Sequence, residues 1–224
     1  TLSTHLSAPL TGDLFQAYRR LRQLDPSPYM FFLRRPEVIL AISSPEVRVT
    51  CDEGRLALNP IAGSRPRGRY LSEYGLFEEE LNGSPVEQAV HGQLVNQALK
   101  ELGRIAEAES IKLERFMEVE RFSRDMHLAS RLSGRLSQGC DAVDVMAAVF
   151  PSSTVNGLPK AKALATLSDM EYEPPGPNGG AVGWLGLASE EDYPDIGLNL
   201  SALWARFDQA FWRVVARLNG YSGF

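Results

Sequence analysis

Long apolar runs are missing from this sequence. None approaches the roughly 18 residues that a bilayer-crossing helix needs, so no transmembrane segment is expected. Basic clusters with interleaved aromatics are missing too, and the net charge of -5 argues against nucleic acid, whose phosphates need a positive surface. Cysteine is scarce. Cys51 and Cys140 lie far apart, outside any paired motif, and read as two reduced, buried thiols. That points to a reducing compartment, cytoplasm or organelle interior, and not to a secreted protein. The three histidines, His5, His91 and His127, share no ligand-like spacing, which disfavours a histidine metal cluster. There is no initial methionine and no charged-then-apolar leader, so the expectation is that Thr1 arises by processing, truncation or a break in a longer polypeptide.

What is present is ordinary for a soluble globular protein: 44% hydrophobic and 23% charged residues across 224 positions, enough for one sizeable core. Leu14, Phe15, Tyr18, Leu21 and Leu24 recur at helical spacing after Thr11-Gly12-Asp13 and stop at Asp25-Pro26-Ser27-Pro28. Strand-like runs follow over Tyr29 to Leu33, Glu37 to Ile42 and Glu46 to Thr50. Val90, Leu94, Ala98, Leu102 and Ile105 predict a helix within Pro85 to Ala108. Two more helices are predicted over Asp141 to Val149 and Pro159 to Met170, the second opening on proline. Glu173 to Gly180 reads as a loop, and Ala181 to Leu187 as a buried strand with Gly183 at a close backbone approach. The tail fits two patterns: a helical stripe from Leu200 to Leu218, or strands over Ile196 to Trp204 and Phe211 to Leu218 turning at Asp208-Gln209.

Four strings carry candidate chemistry. In Pro60 to Gly68, PIAGSRPRG, glycines and prolines fix a tight loop from which Arg65 and Arg67 project toward anions, or which is a solvated turn. In Phe150 to Lys160, FPSSTVNGLPK, hydroxyls precede Gly157 and a proline-started helix, giving either a carboxylate site or a capped loop. In Glu118 to Ser130, EVERFSRDMHLAS, a lone histidine among apolar neighbours is more often a hydrogen-bonded interior group than a catalyst. In Gly179 to Leu187, GGAVGWLGL, the glycines need mean no more than close packing.

With DPSPYMFFL at Asp25 to Leu33 and SSPE at Ser43 to Glu46, these strings, in this order, resemble the chorismate-utilising enzymes, of the kind typified by anthranilate synthase component I, aminodeoxychorismate synthase and isochorismate synthase. The resemblance runs from about Leu14 to about Leu200 and implies an α+β fold, antiparallel sheets packed face to face with helices outside. It also implies a single domain over 1–224, truncated relative to the family's, and favours strands over helix in the tail. Such enzymes act on chorismate with Mg2+, a hard cation that takes carboxylate oxygens. By resemblance, His127 matches the catalytic histidine, Gly63 and Ser64 match the AGT part of AGTRPRG, and Thr154, Gly157 and Lys160 match the substrate loop.

The departures fall where the family needs charge. The family helix KExAEHxMLVDLxRNDLGR aligns without gaps with Val86 to Arg104. Glu87 and His91 are kept, but Val90 replaces the metal-binding glutamate, and Asn96, Leu99 and Glu101 replace two aspartates and an arginine. Asn199 takes the place of a strand arginine, Ser153 of the glycine before Thr154, Ile42 of the glycine before SSPE, and Ala216-Arg217-Leu218 of a GAG turn. No string like SDPExExxETxxKA or GDxxQ occurs. The expectation is therefore a catalytically inactive homologue with no intact metal site and no resident cofactor. Chorismate binding is not expected to survive, and other protein chains of a larger assembly are expected as partners, in keeping with Trp204, Phe207, Phe211 and Trp212 crowded in the tail. Alternatives are a fragment of a split or divergent Mg2+-dependent enzyme and a domain that binds an aromatic carboxylate without turnover.

Overall fold

A computed structural model describes residues 3–36, 38–44, 46–68, 70–170, 180–185, 196–199, 203–208 and 211–219. The chain opens with β1 (Ser3–Leu10) and α1 (Leu14–Leu24), whose start is fixed by Asp13 accepting the Phe15 N–H at 3.0 Å. A hairpin follows, β2 (Tyr29–Arg34) and β3 (Val38–Ser44), with the Arg35 N–H donating to Val38 O across the turn at 2.9 Å. Next come β4 (Val47–Asp52) and β5 (Arg55–Leu58), joined by Glu53-Gly54, both at positive φ (48° and 73°), the geometry that matches strand twist in a two-residue hairpin.

After β6 (Ile61–Pro66) the chain turns helical, in α2 (Leu71–Gly83) and α3 (Pro85–Ile105). Ser84 caps α3 by accepting the Glu87 N–H, and Pro85 sits where a missing N–H costs nothing. A short 3-10 turn at Ala108–Ser110 leads into the long pair β7 (Lys112–Arg121) and β8 (Asp125–Arg135). Three helices come next: α4 (Ala142–Val149), opened by a reciprocal Asp141–Asp144 capping box, then α5 (Ser153–Asn156) and α6 (Lys160–Met170). The last described strands are β9 (Val182–Leu185), β10 (Ile196–Asn199), β11 (Leu203–Asp208) and β12 (Phe211–Asn219).

The fold is α+β with antiparallel sheets, and contacts group the chain into two compact units. The first comprises Thr1–Pro45, Pro151–Val182 and Leu200–Phe224. Its sheet runs β1-β12-β11-β3-β2, and α1 lies on the β2–β3 hairpin, with the Phe15 and Tyr18 rings 5.1 and 5.3 Å from Phe32.

The second unit, Glu46–Phe150 with Gly183–Asn199, has its sheet in the order β6-β8-β5-β4-β10-β9, with β7 along the other side of β8. Helix α3 buries His91, Leu94, Val95, Ala98, Glu101, Leu102 and Ile105, the three-and-four spacing of one helical face. Val95, Ala98, Leu102 and Ile105 of that face join Val49, Leu56, Leu58, Leu132 and the α4 residues Val145 and Val149 in one core. Each fully buried leucine there contributes roughly 1.5–3 kcal/mol. A second cluster sets Leu81 of α2 against Met126 and Leu128 of β8.

The tail forms strands, as the resemblance favoured, with one correction. Ile196 to Trp204 is not one strand: β10 pairs with β4 in one sheet, while β11 pairs with β3 in the other. The pattern reads as one run because Leu198, Leu200 and Leu203 continue the apolar content across the change of sheet, with no proline and no glycine pair to mark it. The loop expected over Glu173 to Gly180 falls almost wholly outside the described residues, as do the side chains of Asn199, Trp204, Phe207, Phe211 and Trp212.

Candidate functional site

Strand pairing brings Ser64 and His127 together. The two are register partners on β6 and β8, and a bulge at Gly63 (φ +71°) separates Ala62 from Ser64 in that ladder. A side chain at Gly63 would stand 3.0 Å from Leu81 Cδ1 and 3.1 Å from Glu87 Oε2, so both the conformation and the close approach require glycine. The result aims a carbonyl and a hydroxyl at one ring: His127 Nδ1 lies 2.9 Å from Gly63 O and 2.9 Å from Ser64 Oγ.

The other ring nitrogen, Nε2, faces Asp125 Oδ1 at 3.4 Å, two residues back on β8. Nδ1 thus meets an acceptor, whereas the buried Nε2 has no aligned hydrogen-bond partner among the described residues and lies in ion-pair range of the Asp125 carboxylate, a setting that favours the charged ring. Burial, the largest single influence, works against that charged form. The hydrogen bond and charge of Asp125, the Gly63 carbonyl and the charge of Glu46 outweigh it, and the His127 pKa stands above the usual histidine value. Reciprocally, the hydrogen bond from His127 holds the Asp125 carboxyl below its usual range, against the opposing effect of burial. Phe122 packs on the ring at 5.4 Å between centroids. The interior, hydrogen-bonded histidine expected from its apolar neighbours is thus found.

Glu87 and Arg65 close the floor. Arg65 Nη1 donates to Glu87 Oε1 at 3.2 Å and to Ser64 O at 2.8 Å, while its Nε donates to Glu80 Oε1 at 2.9 Å. The Glu87 carboxylate is therefore engaged by a guanidinium. Val90, one turn on, is half-buried and offers no oxygen. His91, completely buried, meets Ser130 Oγ at 2.7 Å, and burial lowers its pKa to about 4, so it is neutral.

Thr154, Gly157 and Lys160 lie in the first unit, on α5 and the start of α6. Ser152 caps α5 by accepting the Thr154 N–H, and its hydroxyl pairs with Thr154 Oγ1 at 2.7 Å. Gly157 ends the turn at φ +95°. The buried Ser153 Oγ has no partner among the described residues. The structure thus groups Gly63, Ser64, Glu87 and His127 in one unit, and Thr154, Gly157 and Lys160 in the other.

Two groups escaped the sequence reading. Asp125 was available as the only acid within reach along its strand from His127, but a neighbour at i−2 is recognised only once the chain is known to be a strand. Arg48 on β4 forms a buried ion pair with Glu101 on α3. Nothing in two sites 53 positions apart announces that partnership.

Against known proteins, the family model described as chorismate binding enzyme matches residues 1–192. The chain belongs to the chorismate-binding enzyme family. Anthranilate synthase component 1 of Aquifex aeolicus is 40% identical over 191 residues, covering 85% of this chain and 39% of that protein. Aminodeoxychorismate synthase component 1 of Bacillus subtilis is 34% identical over 210 residues, covering 94% and 44%. The crystal structure of anthranilate synthase component I from Streptococcus pneumoniae superposes with a TM-score of 0.82 at 31% identity, over 100% of this chain and 48% of that one. The menaquinone-specific isochorismate synthase of Escherichia coli, at 19% identity and a TM-score of 0.77, shares the fold. The chain spans less than half the length of these two component 1 relatives.

The family resemblance implies Mg2+, and the residues described do not fit it. Val90 stands where the metal-binding glutamate is expected, Glu87 is engaged by Arg65, and no group of three or more His, Cys, Asp or Glu among the described residues could hold a metal ion. No helix among the described residues is long and apolar enough to cross a membrane.

Proposed function

We propose that this chain is a catalytically silent member of the chorismate-binding family that serves as a structural or assembly subunit of a larger complex. The observation that carries the reading is the state of the α3 acids. Position 90 is a valine, and the two carboxylates on the helix are both engaged internally, Glu87 by Arg65 and Glu101 by Arg48. The carboxylate kept here, Glu87, is already held by a guanidinium, which competes with a divalent cation for it and repels the cation. His127 supports the same reading. Held between Gly63 O and Asp125, it is disposed to give a proton and badly placed to take one.

Loss of charge at the half-buried position 90 with retention of the surrounding core suits a fold kept for shape, because an unpaired carboxylate removed from water is costly. The component 1 names of the relatives place those proteins in multi-component enzymes, which supports an assembly role for a chain of this shape. The test is Mg2+-dependent consumption of chorismate by the purified chain, followed by loss of its absorbance. No turnover above the uncatalysed rate is expected, and sustained turnover sinks the proposal.

A second reading rests on length. The chain spans 39–44% of those two relatives, so it also suits one half of a split enzyme. A partner that co-purifies and carries metal-binding glutamates, with turnover appearing on mixing, would favour that reading. Retained chorismate binding without turnover is the outcome expected of a binding domain.

A further inference from the structure

Of the two arginines in the loop after Gly63, Arg65 is consumed by Glu80 and Glu87. Arg67 faces a different place. A cleft of about 690 Å³ opens between the end of β6, helix α2 and the β7–β8 turn, walled by Tyr70, Tyr74 and Phe77 with Arg67, Ser123 and Arg124 at its base. That volume lies in the range of small-molecule sites, roughly 300–1,000 Å³.

Arg67 is fixed there in advance of any ligand. Its backbone N–H donates to Arg124 O at 2.9 Å, its Nη1 to Phe122 O at 2.8 Å, and its guanidinium lies 5.3 Å over the centre of the Tyr74 ring. Yet its hydrogen bonding is incomplete: the buried Nε finds no acceptor among the described residues. Gly68, at φ +75°, lets the loop pass beside Glu73, where a side chain would stand 2.7 Å from Glu73 Cβ. Glu73 places one carboxylate on the rim against the two guanidiniums of Arg67 and Arg124, so the cleft carries a net positive charge.

A pre-positioned guanidinium with one donor unmet asks for a carboxylate, and a wall of three aromatic rings asks for a flat apolar body. We propose that this cleft binds a small aromatic carboxylate, with Arg67 as its charge contact and Tyr70 and Phe77 as its ring contacts. The proposal is independent of the chorismate reading, since none of these residues belongs to the His127 group or to the substrate-loop positions.

The test is an NMR titration of the full chain with benzoate to about 10 mM, using benzamide and cyclohexanecarboxylate as controls lacking the charge or the ring. Benzoate is expected to shift the amides of Arg67, Tyr70, Tyr74 and Phe77 with a millimolar Kd, and both controls to bind at least several-fold more weakly. Arg67→Lys, which keeps the charge but loses the fork, is expected to weaken benzoate roughly tenfold. Tyr70 is 68% exposed, so Tyr70→Ala preserves the fold and is expected to weaken benzoate about threefold; it decides the matter if the arginine variant is unstable. Benzoate leaving these amides unmoved, benzamide binding equally well, or a folded variant binding unchanged would each overturn the proposal.

Discussion

Asp125 Oδ1 lies 3.4 Å from His127 Nε2, while Gly63 O and Ser64 Oγ meet the opposite nitrogen at 2.9 Å. The pair links folding to pH in a defined direction. His127 has a raised folded pKa, so its contribution is fully present below the unfolded histidine value and is lost as pH rises through the folded one. Asp125 has a depressed pKa, so its contribution is present above the unfolded carboxyl value and is lost as pH falls through the folded one. Asp125→Asn is expected to lower the His127 pKa, read from the ring protons by NMR, and to remove the loss of stability that sets in as pH rises above the ordinary histidine value. An unchanged His127 titration would contradict this assignment.

His91 acts in the opposite sense. Its pKa of about 4 means that the unfolded chain binds the proton first, so stability falls as pH drops from about 6.5 to about 4. The shift corresponds to a loss on the order of 2–3 kcal/mol across that window. His91→Leu should flatten this acid limb, measured as urea midpoints at pH 7 and 4.5. An acid limb as steep as that of the unmodified chain would show that other groups carry it.

Much of this was legible in advance and some was not, for reasons visible in particular residues. The periodicity of α3 was plain because one face repeats every three or four positions over 21 residues. Helix α2, Leu71–Gly83, was not read at all: Leu71, Leu76, Phe77 and Leu81 are interrupted by acids and glycine, and its burial depends on β8 contacts far along the chain. The β7–β8 pair was hidden for a related reason, since β7 is largely exposed and β8 is buried on nearly every residue, so neither alternates. Gly63, Ser64 and His127 are legible through motif resemblance, whereas Arg48 lies in no motif, and Asp125, though inside the Glu118 to Ser130 string, shows its role only through its distance to His127.

Gly63 offers a stability test of the bulge that carries the site. Gly63→Ala must place a methyl at positive φ within 3.0 Å of Leu81 and 3.1 Å of Glu87. A cost of roughly 1–3 kcal/mol is expected in urea denaturation, with the His127 resonances displaced. A cost near zero would show that the turn relaxes freely.

Arg48 and Glu101 form the buried ion pair between β4 and α3, at 5% and 1% side-chain exposure. Arg48→Met alone leaves Glu101 uncompensated and is expected to cost about 3–5 kcal/mol. The double change Arg48→Met with Glu101→Leu should recover most of that loss. A double-mutant cycle in urea measures the coupling, and additive losses would contradict the pairing as the source of the cost.

The central claim is that this family member has kept the chorismate-binding fold and lost the chemistry. Isothermal calorimetry of the intact chain with chorismate, in the presence and absence of Mg2+, tests it most directly. The account predicts no saturable heat at millimolar chorismate and no change on adding Mg2+. A saturable heat that requires Mg2+ would contradict it, because it would mean that a cation is held where Val90 supplies no oxygen and Arg65 already engages Glu87.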